Sequence, residues 1–264
     1  MLKIPFLNNM FISFFNAINN GILGIVPNKN ISYGLSIIIL TIIIRMILFP
    51  FNYKQLKSSF LMTRIAPEVK KIQTKYKSDP KKLQEETSKL YKEKGVNPFG
   101  GCLPLILQYP ILIALYFVFS TLAGIKGVGF LWIHDLSKIA SFKDWTSLIL
   151  PIFSGVTTYV SGMLMTANNA DKAQAKQSQS MNLIMSGVFL FMSMRFNAAL
   201  VLYWTIGNLI QMVQTRIVML MLSRKMDDED DDNSNNNKTI GDADSSENKT
   251  NKKDKYKKRI SNNN

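Results

Sequence analysis

Residues 31–51, ISYGLSIIILTIIIRMILFPF, decide the fold of this chain, because Arg45 is the only charged side chain in this long apolar run. A helix of about 20 apolar residues spans the roughly 30 Å of hydrocarbon in a bilayer. The run therefore predicts a transmembrane helix that carries one arginine.

Arg45 lies about 21 Å past Ile31 along such a helix and about 9 Å before Phe51, which places it within one leaflet. A lone arginine at bilayer depth costs from about 3 to more than 10 kcal/mol. Two interpretations follow from the residues. The guanidinium snorkels past Pro50 to the lipid headgroups, or it lies in a hydrated, functional site inside the protein.

The composition is typical of a membrane protein with several spans and basic loops. The chain has 264 residues, of which 47% are hydrophobic, and a net charge of +14. Four further apolar stretches predict spans: residues 103–123, 146–166, 181–194 (with the helix starting near Gln177) and 198–222. We therefore predict an all-α polytopic membrane protein with five transmembrane helices. None of them contains Asp or Glu, which excludes the intramembrane carboxylates of proton-coupled pumps.

The reactive residues are few. Cys102 and His134 are the only cysteine and histidine, so one chain builds neither a disulfide nor a Cys/His metal site. No phosphate-binding loop, nucleophile elbow or paired carboxylate occurs in a suitable context. We predict no enzymatic activity, no cofactor and no metal.

The charges predict the topology. Residues 52–102 are rich in lysine, and basic loops stay on the cytoplasmic side. The N-terminus and the loop 125–145 are then outside, and the C-terminus is cytoplasmic. Within 52–102, Asp79 before Pro80 is an N-cap signal and Gly95 a stop signal. The segment before them has apolar residues along one helical face, which favours pairing of two helices. We therefore predict a cytoplasmic helical hairpin.

Both ends of the chain differ from this core. In residues 1–30, apolar residues and asparagines alternate at helical spacing, which predicts an amphipathic interfacial helix on the outer face, or one packed against the other helices. Residues 223–264 are highly charged and predict a disordered cytoplasmic tail. The tail ends in a basic cluster of Lys252, Lys253, Lys255, Lys257, Lys258 and Arg259. This cluster is predicted to contact RNA phosphates or anionic lipid, and the alternative is a solvated tail without a partner.

Several motifs occur in a fixed order between residues 31 and 216. They are IIILTIIIRMILFP at 37–50, NPFGGCLP at 97–104 leading to Gln108 and Pro110, FLWIHDL at 130–136, LPIFSGVTT at 150–158, and ALVLYW at 199–204 followed by Asn208 and Gln211. With these motifs the chain resembles the YidC-type membrane protein insertases, a family with relatives in mitochondria and chloroplasts.

The resemblance implies a five-helix core, residues 31–222, with a hydrophilic groove open to the cytoplasm and to lipid but closed outside. Arg45 matches the groove arginine of the family, which favours the hydrated, functional interpretation, and Trp204 matches the aromatic lining. Further polar lining is expected from Gln108, Thr157, Thr158 and Asn208. Some relatives carry glutamine near Ser161 or Gly162, and this chain does not.

The implied function is that of a membrane protein insertase and folding chaperone in the bacterial cytoplasmic membrane. It would pass short outer tails of small membrane proteins through the groove and release their helices into lipid, with or without the Sec translocon. The implied partners are nascent membrane proteins, the ribosome, membrane lipids, the Sec translocon and the signal recognition receptor.

Two other classes of protein are alternatives to the insertase. A small transporter or channel would more often show paired charges, repeated halves or broken helices, and the sequence has none of these. A membrane-anchored nucleic-acid-binding protein would use only the hairpin and the tail, which leaves Arg45 unexplained.

Overall fold

The computed structural model describes residues 5–97, 103–166 and 172–225, most of which lie in helices. The helices are α1 (Pro5–Ile25), α2 (Lys29–Lys75), α3 (Pro80–Glu93), α4 (Leu103–Thr121), α5 (Trp145–Thr166), α6 (Lys172–Ser193) and α7 (Ala198–Lys225). A 3-10 turn, Ala123–Ile125, follows α4. Only isolated β-bridges, and no strands, occur in the described ranges. The all-α prediction is confirmed for these ranges.

Within the described residues, three helices are long and apolar enough to cross a membrane: α2, residues Trp145–Met165 of α5, and α7. A shorter apolar helix, Gln108–Thr121, lies within α4. A multi-pass membrane protein is therefore supported, whereas the predicted count of five spans stays a prediction. The predicted fourth span, 181–194, falls in the second half of α6.

Contacts divide the chain into two units. Residues 1–219 hold α1 to α6 and most of α7, and residues 220–264 form the other unit, in which the helix is described as far as Lys225. The basic cluster 252–259, most of the predicted tail and most of the motif 97–104 lie outside the described residues.

Helix α2 links the apolar run to the basic hairpin. It has 47 residues and continues through Pro50 and Pro67. Because Asp79 accepts a hydrogen bond from the backbone N of Lys82 (3.2 Å), α3 starts where the cap signal predicts. Gly95 ends the hairpin with a φ of +63°, a left-handed conformation that glycine adopts without strain.

The core lies between α1, α2, α4 and α7. Phe15 of α1 is fully buried, with its ring 5.7 Å from that of Tyr33 and 6.0 Å from that of Phe119, measured between centroids. Other buried members of the core are Ile37, Leu40, Leu115, Val118, Leu150, Leu200 and Tyr203. Helix α1 thus packs against the other helices, which is one of the two arrangements expected for it.

One residue on the predicted polar face of α1 is not solvated. Asn19 is buried, and its side-chain oxygen accepts hydrogen bonds from Ser32 Oγ (2.6 Å) and Ser36 Oγ (3.3 Å) of α2. Away from water, a polar group is stable only with such partners. The asparagine therefore fastens α1 to α2, a role that the helical alternation alone did not indicate.

The loop between α4 and α5 packs on the start of α2. Phe130 and Ile133 exchange backbone hydrogen bonds of 2.8 and 2.9 Å, and the Phe130 ring lies directly against Gly34. The backbone N of Gly129 donates to Asn30 Oδ1 (3.2 Å). A side chain at position 34 would occupy the space of the ring, so this close approach requires glycine.

Polar side chains stabilise the same loop. Burial raises the pKa of Asp135, but hydrogen bonds from the hydroxyl (2.7 Å) and backbone N (2.9 Å) of Ser137 outweigh that effect and bring the pKa below its ordinary value. A carboxyl with a lowered pKa stabilises the fold above its unfolded pKa, and this contribution is lost as the pH falls through the folded value. The exposed side chain of His134 lies beside Thr146 and Asp144.

Replacing Gly34 by alanine is expected to lower the stability of the protein by about 1–3 kcal/mol, the usual cost of an overpacked contact. The measurement is the midpoint of thermal unfolding in detergent. The matched control is Gly21→Ala. The added Cβ meets no atom within 4 Å at this position, so the unfolding midpoint of the control should stay the same or rise. The loss should shrink when Phe130 is also replaced by alanine; an undiminished loss would contradict the contact.

Candidate functional site

Arg45 lies in the apolar half of α2 and faces α7. It is only 5% exposed, and its Nη1 donates a hydrogen bond to Gln211 Oε1 (3.0 Å). The Nε2 of Gln211 in turn points to the sulfur of Met165 on α5, at 4.0 Å. The guanidinium is therefore held by a neutral amide rather than by a carboxylate.

A cavity of about 230 Å³ surrounds Arg45 and is bounded by α2, α4, α5, α6 and α7. We call this cavity the groove. Polar residues that line it are Asn52, Gln55, Gln108, Thr158, Ser161, Asn182, Asn208 and Gln211, and apolar ones include Leu48, Met165, Met185, Phe189 and Trp204. Among the described residues that line it, Arg45 alone is charged. The groove is thus a polar site of positive charge inside an apolar helix bundle.

The structure brings together five of the six residues that the sequence assigned to the groove. Arg45, Gln108, Thr158, Trp204 and Asn208 all line it. Thr157 does not, because its side chain is buried between α5 and α7, where its Oγ1 accepts a long hydrogen bond from Asn208 Nδ2 (3.4 Å). Whether these side chains contact a substrate stays a prediction.

Several of these residues also bind the helices to one another. Thr158 Oγ1 accepts hydrogen bonds from Trp204 Nε1 (3.2 Å) and Asn208 Nδ2 (2.8 Å), and donates to the Ser154 carbonyl (2.8 Å). The Trp204 ring stacks on Phe189 of α6, with centroids 4.3 Å apart. This side of the groove is consequently a preorganised wall whose polar groups have partners.

Gln108 and Tyr203 provide a similar link on another side of the groove. Gln108 Nε2 donates a hydrogen bond to the Tyr203 hydroxyl (3.0 Å), and Tyr203 is fully buried in the core. This contact ties α4 to α7. It also fixes the amide of Gln108, a residue that lines the groove.

Sequence reasoning missed four polar lining residues: Asn52, Gln55, Asn182 and Gln211. Asn52 and Gln55 lie past the apolar run, in the segment assigned to the hairpin, and only their helical spacing from Arg45 connects them to the site. Asn182 comes from α6, donates to the Tyr159 carbonyl (2.8 Å) and packs against Gly162. Gln211 belonged to a motif, but no role was assigned to it.

Gly207 makes room for the Arg45 guanidinium. A Cβ at this position would lie 2.7 Å from Nη2 and 3.1 Å from Nε of Arg45. Gln211 follows one helical turn later, on the same face of α7. Gly207 thus leaves space for the guanidinium beside α7, and Gln211 accepts its hydrogen bond.

An all-helical, multi-pass membrane protein with one buried cation in a polar groove is the class that the fold and this site define. The model of the 60Kd inner membrane protein family matches residues 25–225, and the chain belongs to that family.

Curated relatives cover most of the chain. The membrane protein insertase YidC of Clostridium acetobutylicum is 57% identical over 257 residues, which is 97% of this chain and 100% of the relative. The protein of the same name from Clostridium tetani is 50% identical over 79% of this chain and 91% of its own length. The membrane protein insertase MisCA of Bacillus subtilis is 42% identical over 71% of this chain and 70% of its own length.

Replacing Gly207 by alanine is expected to displace the guanidinium, because the added Cβ would need part of its space. Phenylglyoxal, which reacts with arginine side chains, should then modify Arg45 several-fold faster, and peptide mass spectrometry measures the rate. The control is Gly187→Ala on α6, where a Cβ meets nothing within 4 Å. Equal rates in all three proteins would show that Gly207 does not hold Arg45.

Proposed function

We infer that this protein is a membrane protein insertase of the bacterial cytoplasmic membrane. The observation that carries this conclusion is the 57% identity with a named insertase across 97% of the chain. The groove agrees with it, since a single cation in polar surroundings suits transient contact with a passing peptide. A transporter or channel is not favoured, because no paired charges accompany Arg45 in the described lining.

The groove supplies a physical route for a short outer tail of a small membrane protein. A polar cavity that reaches partway into the bilayer shortens the apolar barrier that the tail has to cross. Arg45 then attracts acidic groups of the tail transiently. Two opposite charges at 4 Å attract by about 4 kcal/mol at an effective dielectric constant of 20, and the attraction weakens in water.

The driving force comes from the substrate itself. A substrate helix of about 20 apolar residues partitions favourably into lipid once its tail has crossed. Neutral groups fix Arg45, and no carboxylate competes with the tail among the described lining residues. The tail therefore leaves Arg45 readily when its helix enters the lipid, and no nucleotide is consumed.

The proposed topology has five spans, with the N-terminus outside and the C-terminus in the cytoplasm. The excess of lysine in the α2–α3 hairpin supports a cytoplasmic position for it. The proposed organisation is an outer-face helical segment, residues 1–30, an insertase core, 31–222, with its hairpin at 52–102, and a charged disordered tail, 223–264.

The hairpin and the basic end of the tail are the proposed contacts with the translation machinery. Lysine-rich segments bind RNA phosphates by releasing counterions, so the ribosome is the proposed partner of residues 252–259. Anionic lipid is a second partner of the same chemistry. The Sec translocon and the signal recognition receptor are proposed as further partners because they accompany the family function.

Insertion is tested with a newly made single-span substrate that has an acidic outer tail, using protease protection in liposomes with and without the purified protein. The protein should confer protection, and Arg45→Glu should reduce it about tenfold or more, because attraction becomes repulsion. Arg45→Lys keeps the charge and should lose less, though it lacks the guanidinium fork.

A substrate with a neutral tail serves as the control, and size-exclusion chromatography shows whether each variant is folded. Undiminished insertion of the acidic tail by Arg45→Glu would contradict the proposed attraction. No protection above empty liposomes by the folded wild-type protein would contradict the insertase itself.

Ribosome binding through the tail should weaken steeply with salt. If all six cations of residues 252–259 contact phosphates, affinity falls by roughly a thousandfold between about 50 and 200 mM salt. Cosedimentation of the full-length protein with ribosomes measures this, and a variant with all six replaced by glutamine should bind weakly throughout. Binding that persists at high salt would exclude a phosphate-driven contact.

A further inference from the structure

A second cavity, of about 230 Å³, lies at the end of the bundle where α7 begins, away from the hairpin. It is bounded by the end of α4, the loop between α4 and α5, and the turn between α6 and α7. Its polar lining consists of Ser120, Lys126, Ser137, Arg195 and Asn197. Among the described residues that line it, two are cations and none is a carboxylate. We call it the basic cavity.

The two cations come from distant segments of the chain and lack a counter-charge. In the described ranges, Lys126 and Arg195 make no ion pair, whereas Lys138 of the same loop lies 3.7 Å from the Asp135 carboxylate. Asp135 also accepts hydrogen bonds from the hydroxyl and the backbone N of Ser137, so its oxygens are already engaged. Two like charges beside one cavity repel each other, and an anion bound between them would be attracted by both.

Asn197 adds neutral donors to the basic cavity. It is only 6% exposed, and its Oδ1 accepts a hydrogen bond from the backbone N of Leu200 (3.0 Å), which caps α7. Its Nδ2 therefore keeps both N–H donors, and this atom is not among the buried ones that are sealed from solvent. Ser120, in the last turn of α4, brings a hydroxyl. Cations and N–H donors together favour an anion with several acceptor oxygens, such as a phosphate.

The basic cavity lies where the apolar helices end. Thr121 is the last residue of α4, and Asn197 directly precedes α7, which is long and apolar enough to cross a membrane. Tyr116, which lines the cavity, and Phe191 both expose their rings, and the Arg195 guanidinium lies 5.5 Å from the centre of the Phe191 ring. Side chains of this kind keep their polar ends at the level of the headgroups and their apolar parts along the acyl chains. The cations are therefore at the level of lipid phosphates.

We propose that the basic cavity binds the headgroup of an anionic phospholipid, with its phosphate between Lys126 and Arg195 and a hydrogen bond from Asn197 Nδ2. A zwitterionic headgroup would bring a cation of its own close to these two, which disfavours it. An acidic peptide lacks the acyl chains that the exposed Tyr116 and Phe191 rings would contact. The site goes beyond the insertase function and does not rest on it. In the proposed topology, the bound lipid belongs to the outer leaflet.

The first test counts the lipids that the purified full-length protein retains, by native mass spectrometry in detergent with added phosphatidylglycerol or phosphatidylcholine. The wild-type protein should retain one phosphatidylglycerol in preference to phosphatidylcholine. Lys126→Gln and Arg195→Gln should each weaken this binding about tenfold, the effect of one lost charge-assisted hydrogen bond. An undiminished preference in the double variant would overturn the proposal.

The matched control is the double variant Lys138→Gln with Lys143→Gln. It removes the same two positive charges from the same loop region, but neither residue lines the basic cavity. Its retention of phosphatidylglycerol should equal that of the wild-type protein. A loss as large as that of the Lys126 and Arg195 double variant would mean that the lipid responds to net charge alone, and the site would be wrong.

Asn197→Asp tests the site while it preserves the fold. Aspartate caps a helix as well as asparagine does, so the unfolding midpoint without lipid should stay the same. The new carboxylate faces the phosphate, and phosphatidylglycerol should therefore bind at least tenfold more weakly. Phosphatidylglycerol should also raise the unfolding midpoint of the wild-type protein, as a ligand of the folded state does, and not that of the variant. Undiminished binding by folded Asn197→Asp would contradict the proposal.

Competition identifies the source of the anion. Excess inorganic phosphate shares the oxygens but has no acyl chains, so it should leave phosphatidylglycerol bound. Displacement by phosphate would make the cavity a general anion site, and displacement by an acidic peptide would assign it to peptides; either result overturns the lipid site. These measurements need no insertion. A protein that retains the lipid but inserts nothing refutes the insertase alone, and one that inserts normally without this lipid preference refutes the site alone.

Discussion

The structure depends on solvating one guanidinium within an apolar helix. Lipid offers no hydrogen-bond acceptors, so every helix that faces Arg45 has to contribute polar groups or space. Helix α7 contributes both, through Gln211 and the open face of Gly207. Small residues at such contacts allow close helix packing in membranes. The polar groups and the space that accommodate the charge thus also form the groove. We propose that substrates bind in this groove.

The two sides of the groove have different physical characters. The side formed by α5 and α7 is internally bonded and rigid, with Thr158 accepting from both Trp204 and Asn208. The α2 side keeps donors that nothing in the described structure satisfies. The groove therefore has one wall whose polar groups are paired and one whose buried donors are not.

Much of the fold could be predicted from the sequence, because its signals are local. The apolar run around Arg45, the Asp79 cap and the Gly95 stop depend on neighbouring residues, and the motifs identified five of the groove residues. Contacts between distant segments were not predictable in this way. Asn19 looked solvated by helical periodicity, yet it binds Ser32. Asn52 and Gln55 lie in a lysine-rich segment that the sequence assigned to the hairpin, so they were not expected in the groove. Thr157 and Thr158 are neighbours on α5, and the rotation of one residue around the helix places only Thr158 in the groove lining.

The continuity of α2 has a mechanical consequence. One helix carries Arg45 within the bundle and, about 45 Å further on, Lys75 at the tip of the hairpin. Proline in a helix is the usual place for it to bend, and Pro50 lies between these two ends. A change of about 5° in the bend there would move the tip by about 3 Å. Because Pro50 is close to Arg45 and far from Lys75, a small bend at this proline would move the tip of the hairpin much more than the cation.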